Sequence, residues 1–429
     1  MPLFRKRFGT ENMAKRSTNT LYTNDNLYVL SGLNSESVDL IYLDPPFNKN
    51  RMFSAPIGSK AAGASFKDMW TWKDVDEYYL DSLADNFPAL ADYILSVGEV
   101  HSKPMMAYLT YMVQRIIEMY RVLKETGTLY LHCDSTASHY LRIMLDFVFG
   151  KNNFRNEVIW YYKKWAAAKN VFVRSHDTIF RYTKSRNYTH NQLYIPRAES
   201  TQRRFGNKTI MSGAKDKYGK RVPSVTLEED SVGVKLNDVW TIPIIAPVAK
   251  ERTGHPTQKP LALLNRIILA SSNEGDLVMD PFCGCATTCV AAQQLGRKWI
   301  GIDLGHSVVD LLVQRLSDTP GRLFRDFMAT EQVPQRTDVR IIQPTDPVKQ
   351  QLYKEQQGKC KACGEYFKIY NLEIDHIIPK SKGGGDYYEN YQLLCGNCNR
   401  IKGNRPMEYL RMKIDTRKKM TKRKIIFGE

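Results

Sequence analysis

The chain has 429 residues and a formal charge of +17, with 62 Lys and Arg against 45 Asp and Glu. This length exceeds one ordinary hydrophobic core, so two or three domains are expected. The basic excess favours a polyanionic partner such as nucleic acid over a small neutral ligand, although ribosomal-type and membrane-surface proteins can be equally basic. The sequence contains no apolar run that predicts a membrane span or a secretory signal, so a cytoplasmic location is expected.

The first half of the chain alternates predicted strands and helices. After a basic arm at residues 1–23, the apolar run Val38–Leu43 predicts a buried parallel strand. Helical periodicity follows over Met105–Leu123, then a strand at Thr128–Leu131 and a helix through Leu141–Val148. This alternation is typical of an α/β doubly wound sheet.

A polar segment rich in Lys and Arg, residues 184–238, interrupts this alternation and indicates an inserted recognition region. Two further helices and two further strands are then predicted: Leu261–Ala270, Leu277–Asp280, Val290–Leu295 and Trp299–Asp303. The expected boundaries are an α/β domain at 24–317, a linker at 318–347, and a smaller module with a basic tail at 348–429.

The first predicted strand ends at Asp44, Pro45, Pro46 and Phe47. A carboxylate at the carboxyl end of a parallel strand lies where ligands bind in open α/β sheets, and the prolines hold the backbone extended. Asp44 and the Pro45 carbonyl could accept hydrogen bonds from a base amino group and direct its lone pair, and Phe47 could stack on the base. A turn that only ends the strand is the alternative.

A second constellation begins at Asp280 and runs through Phe282 and Gly284 into a predicted helix. A tight loop of small residues at this place lets backbone N–H groups face a ligand that carries a carboxylate. Asp303 ends the next strand, where an acidic residue commonly binds ribose hydroxyls. Close packing of helix on strand is the alternative explanation for the small residues.

These two segments, joined by Gly254–Pro260, resemble the beta class of amino-methyltransferases over residues 24–316. In that class the target-chemistry motif precedes the cofactor motif, and the recognition region lies between them. The resemblance implies methyl transfer from S-adenosylmethionine (SAM) to an exocyclic base nitrogen. The implied SAM-binding residues are Asp25 near the adenine, Asp303 at the ribose, Thr257 and Lys259 near the amino-acid end, and Asp280, Phe282 and Gly284 as the cradle.

The form of the motifs indicates the target base. Asp-Pro-Pro-Phe resembles adenine-N6 enzymes, whereas cytosine-N4 members more often begin with Ser-Pro-Pro. Adenine N6 in double-stranded DNA is therefore favoured, with cytosine N4 and adenine in RNA as alternatives. The chain departs from the usual family loop at Cys285 and Ala286, where Ser and Gly are common.

Four cysteines near the C-terminus form two C-x-x-C pairs: Cys360, Cys363, Cys395 and Cys398. In a reducing compartment this spacing predicts a closed, structural zinc site rather than disulfides. A metal would stabilise a module whose own core is small.

The residues between and after these pairs resemble the HNH, or ββα-metal, nucleases. The resemblance implies that His376 is the general base, that Asp375 and Asn399 hold Mg²⁺ or Mn²⁺, and that Asn390 orients the loop or the histidine. A zinc module that only binds DNA is the alternative. The sequence thus predicts a methyltransferase sheet with an inserted recognition region, fused to a small zinc-stapled ββα-metal domain. This arrangement resembles restriction-modification proteins. The sequence leaves open whether the chain forms a homodimer.

Overall fold

A computed structural model of the chain describes residues 19–56, 58–62, 64–71, 79–80, 83–84, 87–164, 170–196, 203, 211–223, 234–317, 327–339, 344–411 and 413–414. Among these residues, no helix is both long and apolar enough to cross a bilayer.

The first domain is organised by a nine-stranded sheet with the order β12-β6-β7-β5-β2-β13-β14-β1-β15. Its strands are β1 (Thr20–Tyr22), β2 (Val38–Leu43), β5 (Leu123–Cys133), β6 (Phe154–Tyr161), β7 (His176–Thr183), β12 (Val239–Thr241), β13 (Leu277–Asp280), β14 (Lys298–Ile302) and β15 (Met328–Thr330). Only β7 runs antiparallel to its neighbours β5 and β6. The other pairings are parallel, so the strands of this sheet other than β7 end at one common edge.

Helices cover both faces of this sheet. They are α1 (Asn26–Gly32), α2 (Pro88–Val100), α3 (Lys103–Val122), α4 (Ser138–Phe149), α5 (Leu261–Ser271), α6 (Thr287–Gln294) and α7 (Ser307–Ser317). Alternate residues of β2 enter different cores: Ile41 and Leu43 pack with α1 to α4, while Leu40 and Tyr42 pack with α5 to α7. A strand buried on both faces explains the uninterrupted apolar run.

The predicted strands and helices of the α/β alternation are confirmed with small shifts at their ends. Val38–Leu43 and Leu277–Asp280 are strands with the predicted bounds. The helix predicted from Met105 begins earlier, at Lys103, because the Ser102 side chain accepts a hydrogen bond from the Met105 amide. The doubly wound fold class predicted from the sequence is therefore the observed one.

Two segments expected to lie outside the sheet contribute strands to it. Residues 20–22 of the predicted basic arm form β1, between β14 and β15, while residues 1–18 lie outside the described residues. In the predicted linker, 318–347, Met328–Thr330 forms β15 parallel to β1. Both strands are only three residues long, which is too short for a periodicity to show in the sequence.

The predicted recognition region, 184–238, forms small hairpins separate from the main sheet. Its strands are β8 (Tyr194–Ile195), β9 (Met211–Lys215), β10 (Arg221–Pro223) and β11 (Val234–Lys235), paired as β8 with β11 and β9 with β10. A further hairpin, β3 (Arg51–Ser54) with β4 (Ser65–Asp68), follows the Asp44 segment. Residues 197–202, 204–210 and 224–233 lie outside the described residues.

The C-terminal module has a ββα arrangement. It contains α8 (Asp346–Glu355), β16 (Leu372–His376), β17 (Tyr391–Cys395) and α9 (Gly396–Lys402), with β16 and β17 antiparallel. Segment 331–338 joins it to the first domain, where the Thr337 amide donates to Asn34 Oδ1 at 2.7 Å and the Ser35 amide donates to Asp338 at 2.9 Å. The predicted basic tail beyond residue 414 lies outside the described residues.

Candidate functional sites

The parallel sheet brings the two predicted constellations of the first domain together. Asp44 follows β2 and Asp280 ends β13, and these two strands are neighbours in the sheet. Carboxyl ends of neighbouring parallel strands lie side by side, so the two carboxylates face one cleft. The run that follows β12 reaches the same edge and brings Thr257 and Lys259 to it.

Asp44 and Lys259 form an ion pair in this cleft. Their side chains are 13% and 10% exposed, so solvent screens the pair weakly. The ammonium group binds Asp44 Oδ2 and also lies 3.4 Å from the Thr257 carbonyl oxygen. The other carboxylate oxygen, Asp44 Oδ1, is buried and has no hydrogen-bond partner among the described residues.

The cleft beside Asp44 is partly open to solvent, and its space of about 350 Å³ includes solvent at its mouth. It contains five of the predicted cofactor residues, namely Thr257, Lys259, Asp280, Phe282 and Gly284. Tyr42, His255, Leu264, Cys283, Cys285, Thr287 and Thr288 complete the lining. Charged groups and a tight loop thus meet in one concave site, as a polar cofactor requires.

Asp280 lies at the bottom of the cleft with both carboxylate oxygens bonded. The Phe282 amide donates to Oδ1 at 3.0 Å, and the Thr288 hydroxyl donates to Oδ2 at 2.5 Å. Burial nevertheless raises the pKa of this carboxyl to about 7, because the charged form is desolvated. A cationic group bound here would favour the ionised form.

Gly284 and His255 shape the narrow part of the cleft. Gly284 has a φ of +50°, and a Cβ atom added to it would lie 3.3 Å from the His255 ring. The next residue but one, Ala286, also has a left-handed backbone, with a φ of +57°. The loop therefore keeps the conformation that favours glycine even where this chain has alanine. Burial, then the Lys259 charge, lower the pKa of His255 to about 4, so its ring is neutral at pH 7.

Asp303 and Asp25, both in the described part of the chain, are not among the residues that line the cleft, although Asp303 contacts its Gly284 loop. The Asp303 carboxylate accepts from the Gly284 amide and the Gly305 amide, both at 2.8 Å, and burial raises its pKa. Asp25 caps α1 by accepting from the Leu27 amide at 2.8 Å, and its carboxylate also pairs with Arg115 at 2.9 Å. The adjacent Asn26 donates to the Pro281 carbonyl at 2.8 Å, which fixes α1 against the Asp280 loop.

A buried polar group lies beneath Phe47. The Phe47 ring is 8% exposed and stacks on His132, with ring centroids 6.0 Å apart. His132 Nε2 lies 3.2 Å from Asp177 Oδ2, and His132 Nδ1 lies 2.9 Å from the Tyr42 hydroxyl. Burial raises the pKa of Asp177, but the His132 contact and nearby positive charge outweigh it and hold that pKa at about 2. The ionised Asp177 accepts a hydrogen bond from Nε2–H of His132, and Nδ1 of the same ring contacts the Tyr42 hydroxyl.

The four cysteines of the C-terminal module converge as their spacing predicts. The Sγ atoms of Cys360, Cys363, Cys395 and Cys398 all lie within 4.8 Å of one another. Four sulfur ligands at such separations match the donor set of a closed tetrahedral zinc site. The Cys395 amide also donates to Cys360 Sγ at 3.3 Å, which stabilises a thiolate there.

His376 at the end of β16 belongs to a bonded cluster around Asp386. His376 Nε2 lies 2.8 Å from Asp386 Oδ1, and the Tyr391 hydroxyl donates to the same oxygen at 3.0 Å. Lys380 donates to Asp386 Oδ2 at 2.7 Å and holds the pKa of that carboxyl, with help from His376 and Tyr391, at about 2. Asp386 thereby fixes the ring of His376 and leaves Nδ1 as its second polar atom.

The predicted divalent-ion ligands are engaged with protein groups. Asp375 Oδ1 pairs with the buried Lys402 ammonium at 3.0 Å, and Oδ2 accepts from Gln392 at 2.7 Å. Asn399 donates to Glu373 at 2.6 Å. As it stands, the Asp375 carboxylate does not fit a divalent ion, because a cation already binds it.

Asn390 holds the loop that follows β16. Its side chain accepts from the Ile378 amide at 2.8 Å and donates to the carbonyls of Ile378 and Gly385. These contacts fix the loop that carries Asp386, and they reach His376 only through it.

Residues 38–314 match a family model described as DNA methylase. The chain belongs to the DNA methylase family. Residues 360–405 of this DNA methylase match a second model, described as HNH endonuclease. The predicted combination of a DNA methylase domain with a C-terminal HNH domain is thereby confirmed.

Several relatives of this DNA methylase extend over most of its length. It is 28% identical over 312 residues to the DNA adenine methyltransferase YhdJ of Escherichia coli K12, an alignment covering 72% of this chain and 84% of that protein. It is 26% identical to the type II methyltransferase M.BglII of Bacillus subtilis, covering 71% of each. The solved structure of the cytosine-N4-specific PvuII DNA methyltransferase aligns with a TM-score of 0.43 at 13% identity, over 73% of this chain and 95% of that one.

Three residues of this DNA methylase were not singled out from its sequence. His255 lies in the Gly254–Pro260 run that also contains Thr257 and Lys259, so its place in that run could have identified it. Asp386 follows the Gly-rich turn, and Lys402 stands three residues after Asn399. Neither shows a spacing that would indicate its contact, because both contacts are made across the ββα fold.

The pKa of Asp280 predicts how stability depends on pH. The carboxyl titrates at about 7 in the folded chain and at about 3.9 when unfolded, so the folded chain binds more protons between these values. Its contribution to stability is complete below the lower pKa and is lost as the pH rises through the higher one. We expect Asp280→Asn to gain stability relative to the parent as the pH rises from about 5 to 8, by at most about 1.4 kcal/mol per pH unit. Urea unfolding across this range measures the difference, and a difference that does not change with pH would contradict the assignment.

The cysteine cluster predicts a metal requirement for folding of the C-terminal module. We expect zinc to copurify with the chain, and Cys398→Ser or a chelator to remove it and unfold the module. Metal analysis and limited proteolysis measure both effects. Cys285→Ser is the matched control, since Cys285 lies in the sheet-edge cleft, and it should leave zinc unchanged. Full zinc loading in Cys398→Ser would show that the cluster is not the metal site.

Proposed function

We propose that the chain transfers the methyl group of SAM to the N6 amino group of adenine in double-stranded DNA. The observation that carries this proposal is the buried Oδ1 of Asp44, which lies beside an open cleft and has no hydrogen-bond partner in the part of the chain that the structure describes. A buried carboxylate oxygen without a donor is costly, and a base amino group would supply that donor.

The geometry supports a specific role for the Asp-Pro-Pro-Phe segment. Lys259 binds Oδ2 of Asp44, and Oδ1 has no hydrogen-bond partner among the described residues, so it is available to a substrate donor. Asp44 Oδ1 and the Pro45 carbonyl would accept the two amino hydrogens, which directs the nitrogen lone pair away from the ring and towards the methyl group. Pro46 keeps the segment extended, and Phe47, held by His132 on one side, would stack on the base.

The cleft residues fit SAM as the methyl donor, which when bound supplies a methyl group on a cationic sulfur. The buried Asp280 carboxylate favours a cationic ligand, and Gly284 leaves the space that a side chain would fill. Thr257 and Lys259 would lie near the amino-acid end, Phe282 would pack on the cofactor, Asp303 would bind the ribose, and Asp25 would lie near the adenine.

Adenine is the proposed base for two reasons. The motif has Asp where cytosine-N4 members more often have Ser, and the relative YhdJ is described as a DNA adenine methyltransferase. The charge of +17 suits binding to a duplex through its phosphates.

Substitution of Asp44 tests this part of the proposal. Asp44→Asn removes the charge and replaces one acceptor oxygen, so we expect labelled methyl incorporation into DNA to fall about 10²-fold or more while SAM binding persists. Asp39→Asn is the matched control, because Asp39 lies on the same strand at the opposite edge and pairs with Lys124. Mass spectrometry of the product nucleosides identifies the base. Unchanged incorporation by Asp44→Asn, or N4-methylcytosine as the product, would refute the assignment.

For the C-terminal module we propose hydrolysis of DNA phosphodiesters with His376 as the general base. The bond between His376 and the ionised Asp386 supports this role, because it fixes the tautomer and leaves Nδ1 to accept a proton from water. A divalent ion at Asp375 and Asn399 would first have to displace the Lys402 ammonium, so the need for Mg²⁺ or Mn²⁺ is itself a hypothesis. A zinc module that only binds DNA is the competing function.

Plasmid nicking distinguishes the two functions of the module. We expect His376→Ala to abolish nicking by the full chain in Mg²⁺ or Mn²⁺, and Asp386→Asn to reduce it, since the base then loses its partner. His306→Ala is the control variant, because the His306 side chain is 70% exposed and lies outside the C-terminal module. Nicking that persists in His376→Ala, or no nicking by the parent chain with either ion, would favour the DNA-binding module.

A further inference from the structure

The connection between β6 and β7 contains three consecutive apolar residues and lies on the edge of the sheet where Asp44 lies. β6 runs in the same direction as β2, because both β6 and β5 are antiparallel to β7 and β5 is parallel to β2. The connection, 162–175, therefore leaves the sheet at the edge that holds the proposed base site. Residues 165–169 within it lie outside the described residues, and the apolar segment is Val171 to Val173.

The end of this connection that joins the sheet is fixed to the residues around Asp44. The Tyr162 amide donates to the Ser175 carbonyl at 2.9 Å, which closes the hairpin. The Tyr162 hydroxyl donates to Asp177 Oδ1 at 3.1 Å, and Asp177 also binds His132, on which Phe47 stacks. Three side-chain contacts thus join the hairpin to Phe47, so the two ends of the hairpin have a defined position relative to the cleft.

The segment Val171 to Val173 is unusually apolar for a surface loop. Val171, Phe172 and Val173 are consecutive and are 76%, 99% and 38% exposed. An aromatic side chain so exposed gains nothing from the fold itself, and a run of exposed apolar residues marks an interaction site more often than a solvated loop.

Two exposed basic residues flank the apolar segment in the sequence. Lys164 precedes it and Arg174 follows it. Cations flanking an apolar wedge suit a nucleic acid duplex, in which phosphates surround a stack of apolar base faces. The hairpin is therefore complementary to DNA held at the sheet edge.

We propose that Phe172 is a wedge that enters the duplex and occupies the space left when the target base turns into the cleft. This inference rests on the proposed base methylation, because a base inside a duplex cannot reach Asp44 without leaving its stack. Extrusion breaks stacking on both neighbours of the target. An inserted aromatic ring restores part of that stacking, and Val171 and Val173 would contact the adjoining sugars.

The rate of methyl transfer by Phe172→Ala tests the proposal. The substrates are duplex oligonucleotides that contain the target base, whose position is first mapped with the parent enzyme. We expect the variant to methylate the fully paired duplex about tenfold more slowly or worse, since extrusion loses its compensation. An abasic site opposite the target base removes its pairing, and on that duplex the variant should recover most of the parent rate. Phe172→Trp keeps a stacking ring and should stay close to the parent on both duplexes.

Phe147→Ala is the matched control. Phe147 is a phenylalanine that is 41% exposed near the end of α4, which runs back from the Asp44 edge to the opposite edge of the sheet. It should leave the rates on both duplexes unchanged, and SAM binding without DNA should be equal in all of these variants.

The outcomes separate this inference from the proposed function. Equal rates for Phe172→Ala and the parent on the paired duplex would overturn the wedge while leaving methylation intact. A loss that is as large on the abasic duplex as on the paired one would also overturn it, because that pattern indicates a general contact with DNA. No methylation by the parent enzyme would instead refute the proposed function.

Discussion

The ion pair between Asp44 and Lys259 is the interaction on which the sheet-edge site depends. It joins two loops that are 215 residues apart in the chain, and it does so in a cleft where solvent screening is weak. One oxygen of Asp44 is neutralised by the ammonium, and the other has no donor within the described ranges of the chain. The same pair therefore fixes the loop that follows β12 and orients the carboxylate that faces the proposed substrate. Removing either partner would leave a poorly solvated charge, which is why both belong to one unit.

Around this pair, two groups of hydrogen-bonded residues hold the neighbouring loops in place. Asp280 and Asp303 hold the loop of Gly284 through backbone amides, and His255 covers that loop as a neutral ring. Beneath Phe47, the group of Tyr42, His132 and Asp177 is fully hydrogen-bonded at the histidine, so the ring on which Phe47 stacks has one fixed orientation. A site preorganised in this way loses little entropy when its ligands bind.

The C-terminal module follows the same principle with different chemistry. Four thiol groups converge in a module whose hydrophobic core is small and which a metal would stabilise. A buried lysine forms an ion pair with the Asp375 carboxylate. Segment 331–338 packs this module on the first domain, with the Val333 side chain lying between Gly32 of α1 and Gly383 of the module. Both glycines lack the Cβ atom that would collide there, so close packing of the two domains depends on them.

The sequence alone determined the α/β alternation, the Asp44 and Asp280 motifs and the cysteine pairs, because each depends on local periodicity or on fixed spacing. It also placed Thr257, Lys259 and Gly284 near the cofactor motif through their resemblance to a family. It could not show β15, the Asp44–Lys259 pair, the Asp386 partner of His376, or Lys402 on Asp375. These depend on which strands are neighbours in the folded chain and on which side chains face each other there at sequence separations from 10 to 215 residues.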